Sequence, residues 1–143
     1  RRHPLYRALR VDKVVLAALE ATLGDHVAGR SPPVVAMLEQ SREVLAGRAD
    51  RLAAALVDLG VAVEVVDLSS VAGGGSWPGQ ELPSLAVRVV VARPDACATA
   101  LRTGDPAVVA RVHEGGLAFD VRTVTDDQIG PLATRVAAVV REE

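Results

Sequence analysis

Apolar positions recur with two periods along this chain, and the change of period marks its elements. Leu16, Leu19 and Leu23 stand three and four apart, with Val15, Ala18 and Thr22 beside them on the wheel, which predicts a helix of about three turns with one buried stripe. Asp12 is its expected N-cap and Gly24 its expected stop. Pro32 and Pro33 open a short helix over Val34–Leu38. Ser41 should cap the longest helix, where Leu45, Ala49, Leu52, Leu56 and Leu59 follow at intervals of four, three, four and three until Gly60. Its other face carries Arg42, Glu43, Arg51 and Asp58, an ordinary solvated face.

From Val61 the period becomes two, predicting a strand to Leu68. Gly73-Gly74-Gly75-Ser76-Trp77-Pro78-Gly79 interrupts it, and a second strand is expected over Leu85–Ala92. Pro94 begins a helix through Arg102 that Gly104 ends. Val108–Val112 and Leu117–Val121 read as a hairpin across Glu114-Gly115-Gly116. The last helix is expected within Thr125–Glu143, starting near Pro131 or kinked by it. Four short strands joined by hairpins or single helices predict an α+β fold, a small antiparallel or mixed four-stranded sheet with helices on one face.

Composition adds limits. Half of the 143 residues are hydrophobic but only Tyr6, Trp77 and Phe119 are aromatic, so Ala, Val and Leu must build the core. The net charge of −2 gives no global attraction to nucleic acid or acidic membranes. The single cysteine, Cys97, excludes an internal disulfide and fits a reducing, cytoplasmic setting. No apolar run is long enough for a transmembrane helix, so no membrane partner is expected. With no leader segment and no initiator methionine before Arg1, the chain is expected to be a piece of a longer protein.

Candidate chemistry concentrates at the beginning. Pro4 keeps His3 extended, and Arg7 and Arg10 stand three apart just ahead of the first helix. Two guanidinium forks converging on one place suit a phosphate or similar anion. A pair of solvated arginines on a surface arm has the same spacing. Lys13, the only lysine, sits beside Asp12 in a first helical turn, where solvated lysines are common. His3, His26 and His113 lack metal-ligand spacing, and Cys97 in its alanine-rich helix reads as a small core residue. The run Gly73, Gly74, Gly75, Ser76 has no P-loop ending; it could form a backbone nest over a pocket, or be a flexible hairpin connection. Glu81 and Asp120 make no recognisable acid/base pair, and Arg88, Arg93 and Arg122 read as strand and loop arginines facing water or a partner.

The runs Arg7-Ala-Leu-Arg-Val-Asp-Lys13, Leu19-Glu-Ala-Thr-Leu23, Gly73-Gly-Gly-Ser76, Glu81-Leu-Pro-Ser84 and Arg102-Thr-Gly-Asp-Pro106, in that order, resemble the C-terminal part of the bacterial selenocysteine synthases. Arg111-Val-His-Glu-Gly-Gly-Leu-Ala-Phe-Asp-Val-Arg-Thr-Val124 is similar to that family's closing hairpin. The resemblance implies a fold-type I pyridoxal phosphate (PLP) enzyme, a homo-oligomer that converts seryl-tRNA(Sec) to selenocysteyl-tRNA(Sec) with selenophosphate. It implies that residues 1–40 are the arm and helices linking to a large PLP domain, and residues 41–143 a small C-terminal α/β domain. Arg7 and Arg10 would bind selenophosphate or the leaving phosphate. The PLP-bearing lysine and most of the tRNA-binding surface would lie upstream, leaving this piece without catalytic residues, cofactor or metal of its own. A related PLP lyase acting on a phosphorylated amino acid or amino sugar, or a free-standing non-catalytic interaction domain, are the alternative readings.

Overall fold

The computed structural model describes residues 3, 5, 9–72 and 79–143. The chain divides into two compact units, Arg1–Met37 and Leu38–Glu143.

In the first unit, helix α1 spans Lys13–Val27 and α2 spans Pro33–Leu38, whose last residue belongs to the second unit. Asp12 caps α1 as expected, its carboxylate accepting from the Val14 amide at 2.6 Å. Gly24 does not stop the helix, which runs three residues further to Val27. The expected buried stripe is not found: Leu16, Leu19 and Leu23 remain 52%, 53% and 55% exposed, and no residue of α1 is buried. Periodicity states which face a helix would bury, not whether a cover is present.

The second unit is an α+β two-layer structure. Helix α3 (Arg42–Asp58) precedes strands β1 (Val63–Val71) and β2 (Glu81–Val90). Helix α4 (Pro94–Thr103), strands β3 (Arg111–His113) and β4 (Gly116–Asp120), and helix α5 (Ile129–Arg141) follow. The sheet is antiparallel throughout in the order β1-β2-β4-β3, which settles the antiparallel-or-mixed expectation. Leu45, Ala49, Leu52 and Leu56 of α3 are buried as the stripe predicts, and Ser41 caps the helix. They pack with Leu101 and Cys97 of α4, Leu132 and Val136 of α5, and Leu85, Val87, Val89, Leu117 and Phe119 from one face of the sheet. The opposite face has a smaller cluster of Leu68, Ala86 and Ala118.

Several boundaries move for identifiable reasons. β2 begins at Glu81, upstream of the expected Leu85, and runs through Pro83. β4 pairs with β2 only from Ala86 onward, so Pro83 faces no ladder partner on that side and its missing N–H goes unnoticed. The β3–β4 loop is the two residues Glu114 and Gly115, both at positive φ (46° and 74°), the geometry that matches strand twist in a tight hairpin. Gly116 is required by close approach: a Cβ there would sit 2.5 Å from the Val89 carbonyl oxygen. Pro131 causes no kink, because α5 starts at Ile129 and places it in the first turn, where its missing N–H has no intrahelical acceptor. A 3₁₀ turn over Asp126–Gln128, boxed by Thr125 and Gln128, leads into that helix.

Replacing fully buried Leu52 by Ala should lower the unfolding free energy of the second unit by roughly 2–5 kcal/mol. Leu19→Ala, on the exposed face of α1, should change it by less than about 0.5 kcal/mol. Urea midpoints at unchanged slope measure both, and equal losses would contradict this division of the core.

Candidate functional site

The anticipated anion site lies in the first unit. Arg10 sits two residues before the Asp12 cap, exposed, and Lys13 opens the helix. No ion pair involves Arg10 among the described residues. The first turn of α1 contains no acidic residue, so the positive end of the helix dipole is offset only by Asp12. Arg7, the other anticipated anion ligand, lies outside the described residues, and so do Gly73, Gly74, Gly75 and Ser76 of the glycine run. β1 and β2 pair in antiparallel register up to Val71 opposite Glu81, so that run falls within the connection of a hairpin.

The second unit assembles polar groups that periodicity did not single out. Arg48, only 8% exposed, stands on the inner face of α3 between Leu45 and Leu52. Its Nε donates to Asp126 Oδ1 at 3.1 Å, and its Nη1 to Gln40 Oε1 at 2.8 Å and to the Val121 carbonyl at 3.0 Å. Arg51 donates to the same Asp126 oxygen at 2.7 Å. Arg122 corrects the expectation of a water-facing loop arginine: it is 6% exposed. Its Nη2 donates to the Pro83 carbonyl at 2.7 Å and its Nη1 to that of Leu38 at 3.3 Å. Arg88 is half-buried and pairs with Glu64, donating also to the Glu114 carbonyl.

Asp120 ends β4 on the sheet's outer face. Its Oδ1 accepts from Ser84 Oγ at 2.7 Å and from the Arg122 amide at 3.1 Å, while Oδ2 accepts from the Ser70 hydroxyl. Glu81, the other carboxylate considered, instead accepts from Ser69 Oγ at 2.9 Å. Beside Asp120 opens a cavity of about 640 Å³, walled by Val71, Val109, Phe119, Val124 and Leu132 and bordered by Arg111. Cys97 is buried, as expected of a core residue; burial, with Glu143 nearby, pushes its thiol up and away from the reactive thiolate. Among the described residues no group of three or more His, Cys, Asp or Glu side chains is placed to hold a metal, and no helix is long and apolar enough to cross a membrane. PLP does not fit the residues present. A Schiff base needs a lysine amine in an enclosed site; the sole lysine is exposed at the start of α1, and none lines the cavity.

These features define an α+β module preceded in the sequence by a helix with Arg10 and Lys13 at its start. The chain belongs to the L-seryl-tRNA selenium transferase family (SelA), whose family model matches residues 1–125. It is 44% identical over 137 residues to the L-seryl-tRNA(Sec) selenium transferase of Hyphomonas neptunium, covering 90% of this chain and 29% of that protein. The enzyme of the same name from Nitratidesulfovibrio vulgaris is 42% identical over 146 residues, covering 94% of this chain and 30% of the relative. That of Solidesulfovibrio magneticus is 38% identical over an alignment covering the whole of this chain and 33% of its own length. The chain therefore spans about a third of the length of the curated relatives it matches.

The Arg51 guanidinium, and after it that of Arg48, hold the Asp126 carboxyl below its ordinary value of 3.8. The folded state then binds its proton less readily than the unfolded chain. The stabilisation is present above pH 3.8 and is lost as the pH falls through the lower folded value. Asp126→Asn should make the protein less stable at neutral pH and its acid unfolding less steep, as followed by circular dichroism. Arg48→Met should cost roughly 1–3 kcal/mol by leaving the Val121 carbonyl without its donor. An unchanged acid profile in Asp126→Asn would remove this pair from the stability account.

Proposed function

We propose that this chain is the C-terminal part of a PLP-dependent selenium transferase that converts seryl-tRNA(Sec) to selenocysteyl-tRNA(Sec) with selenophosphate. The observation that carries the proposal is the family match across residues 1–125, supported by relatives that bear that enzyme's name. Residues 1–40 act as the linking arm and helices, and residues 41–143 as the small domain. Leu16, Leu19 and Leu23 suit such a link, since a face this apolar calls for cover from the rest of a longer polypeptide. PLP, bound to a lysine elsewhere in that polypeptide, supplies the electron sink for eliminating the seryl hydroxyl and adding selenium. This piece alone is inactive, and the parent works as a cytoplasmic homo-oligomer.

The part assigned to this chain's own residues is electrostatic. Arg7 and Arg10 hold the phosphate of selenophosphate, and of the phosphate released, as a dianion between two guanidinium forks. The exposed position of Arg10 ahead of a helix N-terminus supports the role, because that end of α1 adds a partial positive charge to the same region.

The test uses a protein of the relatives' full length carrying this segment. Arg10→Ala should raise the KM for selenophosphate roughly ten- to a hundredfold, the effect of one lost charge-assisted contact, and leave seryl-tRNA affinity unchanged. Arg10→Lys should recover only part of the loss, since an ammonium cannot reproduce the bidentate fork. An unaltered KM in Arg10→Ala would remove this arginine from the anion site.

A further inference from the structure

We propose that the cavity at the end of β4 binds a free α-amino acid with an apolar side chain, its ammonium on Asp120 and its carboxylate on Arg111. The inference goes beyond selenium transfer and does not depend on it.

It rests on two opposite charges that share a cavity without pairing. Arg111 stands opposite Ala118 in the β3–β4 ladder, and Asp120 lies two residues further along β4 on the same face. Diagonal neighbours of this kind stand about 7–8 Å apart, their Cβ atoms somewhat closer. Both head groups are anchored to consecutive residues of β1: Arg111 Nη1 donates to the Ser69 carbonyl at 2.8 Å, and Ser70 Oγ donates to Asp120 Oδ2. Yet no ion pair joins Arg111 to Asp120 among the described residues. Both border the cavity of about 640 Å³, a volume within the usual range for small-ligand sites.

Hydrogen-bonding capacity agrees. An ionised carboxylate offers about four acceptor positions. Asp120 uses three, for Ser84, Ser70 and the Arg122 amide, which leaves room for an ammonium donor. A guanidinium has five N–H groups, and Arg111 uses one on Ser69. The mixed charge also selects against simpler ligands. A phosphate would face the Asp120 carboxylate and an apolar amine the Arg111 guanidinium, each at a cost in repulsion and desolvation. A zwitterion, with its opposite charges one carbon apart, satisfies both. Val109, Phe119 and Leu132 then receive its side chain, so an aliphatic residue such as leucine is the natural size and polarity.

The experiment titrates the 143-residue chain with L-leucine, raised to about 10 mM so that even a millimolar Kd is seen. Calorimetry measures affinity, and residue-resolved NMR locates the response. The expected result is saturable binding with shifts at Arg111 and Ala118–Asp120. Leucinamide, which lacks the carboxylate, and isocaproate, which lacks the ammonium, should each bind about tenfold or more weakly. Because Asp120 also caps the following turn, Asp120→Asn could unfold that region. Arg111→Met, at an exposed residue, provides the independent variant, and it should abolish the preference for leucine over leucinamide. The proposal is overturned by absence of saturable leucine binding, by equal binding of all three compounds, or by an undiminished preference in Arg111→Met.

Discussion

Two guanidinium groups removed from water hold the corner where the sheet ends and the last helix begins. After Asp120 the chain leaves β4 and crosses residues 121–128 with only two short 3₁₀ turns before α5. A passage this irregular leaves backbone carbonyls unpaired, and buried carbonyls must find donors. Arg48 reaches from α3 to the Val121 carbonyl, while Arg122 turns back to the carbonyls of Pro83 and Leu38. A buried cation is itself costly unless its hydrogen bonds are complete. The corner and the arginines therefore support each other: Arg48 satisfies a carbonyl within it, and Arg122 ties it to Pro83 and Leu38.

That mutual support explains where the sequence was readable and where it was not. The stripe of α3, the caps Asp12 and Ser41 and the antiparallel hairpins follow from local spacing and turn chemistry, so they could be anticipated from neighbouring residues. Arg122 could not, because its burial depends on the carbonyls of Pro83 and Leu38, far away in the chain. Arg48 did leave a signal. It lies three residues after Leu45 and four before Leu52, on the apolar face of the helix, where a charge implies a polar partner inside. The stripe of α1 shows the opposite error: its spacing is as regular, but amphipathicity reports a tendency to be covered and not the presence of a cover. The anion-binding role proposed for Arg7 and Arg10 rests on a whole run of residues resembling a family, since two arginines three apart are common on surfaces.

The two units differ in chemistry as much as in packing. The first presents Arg10 and Lys13 at the start of α1, with Asp12 the carboxylate nearest in sequence, and its apolar residues remain exposed. The second has a buried core and several ion pairs: Arg88 with Glu64, Arg51 and Arg48 with Asp126, Arg42 with Asp67. Arg10 and Lys13, in no ion pair among the described residues, add positive charge at the start of α1. The second unit carries 10 arginines against 15 aspartates and glutamates, so it adds no long-range attraction for a negative ligand.

Arg111 and Asp120 border one cavity without forming such a pair. In an antiparallel sheet, opposite charges on diagonal positions of one face are close enough for long side chains to meet. Here the arginine is committed to a backbone carbonyl of β1 and the aspartate to two serine hydroxyls and an amide, so each is held in place by neutral partners. Neutral anchoring fixes a charge without cancelling it, whereas an ion pair does both. The arrangement thus keeps two opposite charges unpaired at the border of one cavity. Of the common small metabolites, an amino acid with an aliphatic side chain is the class that carries the complementary dipole and the apolar body together.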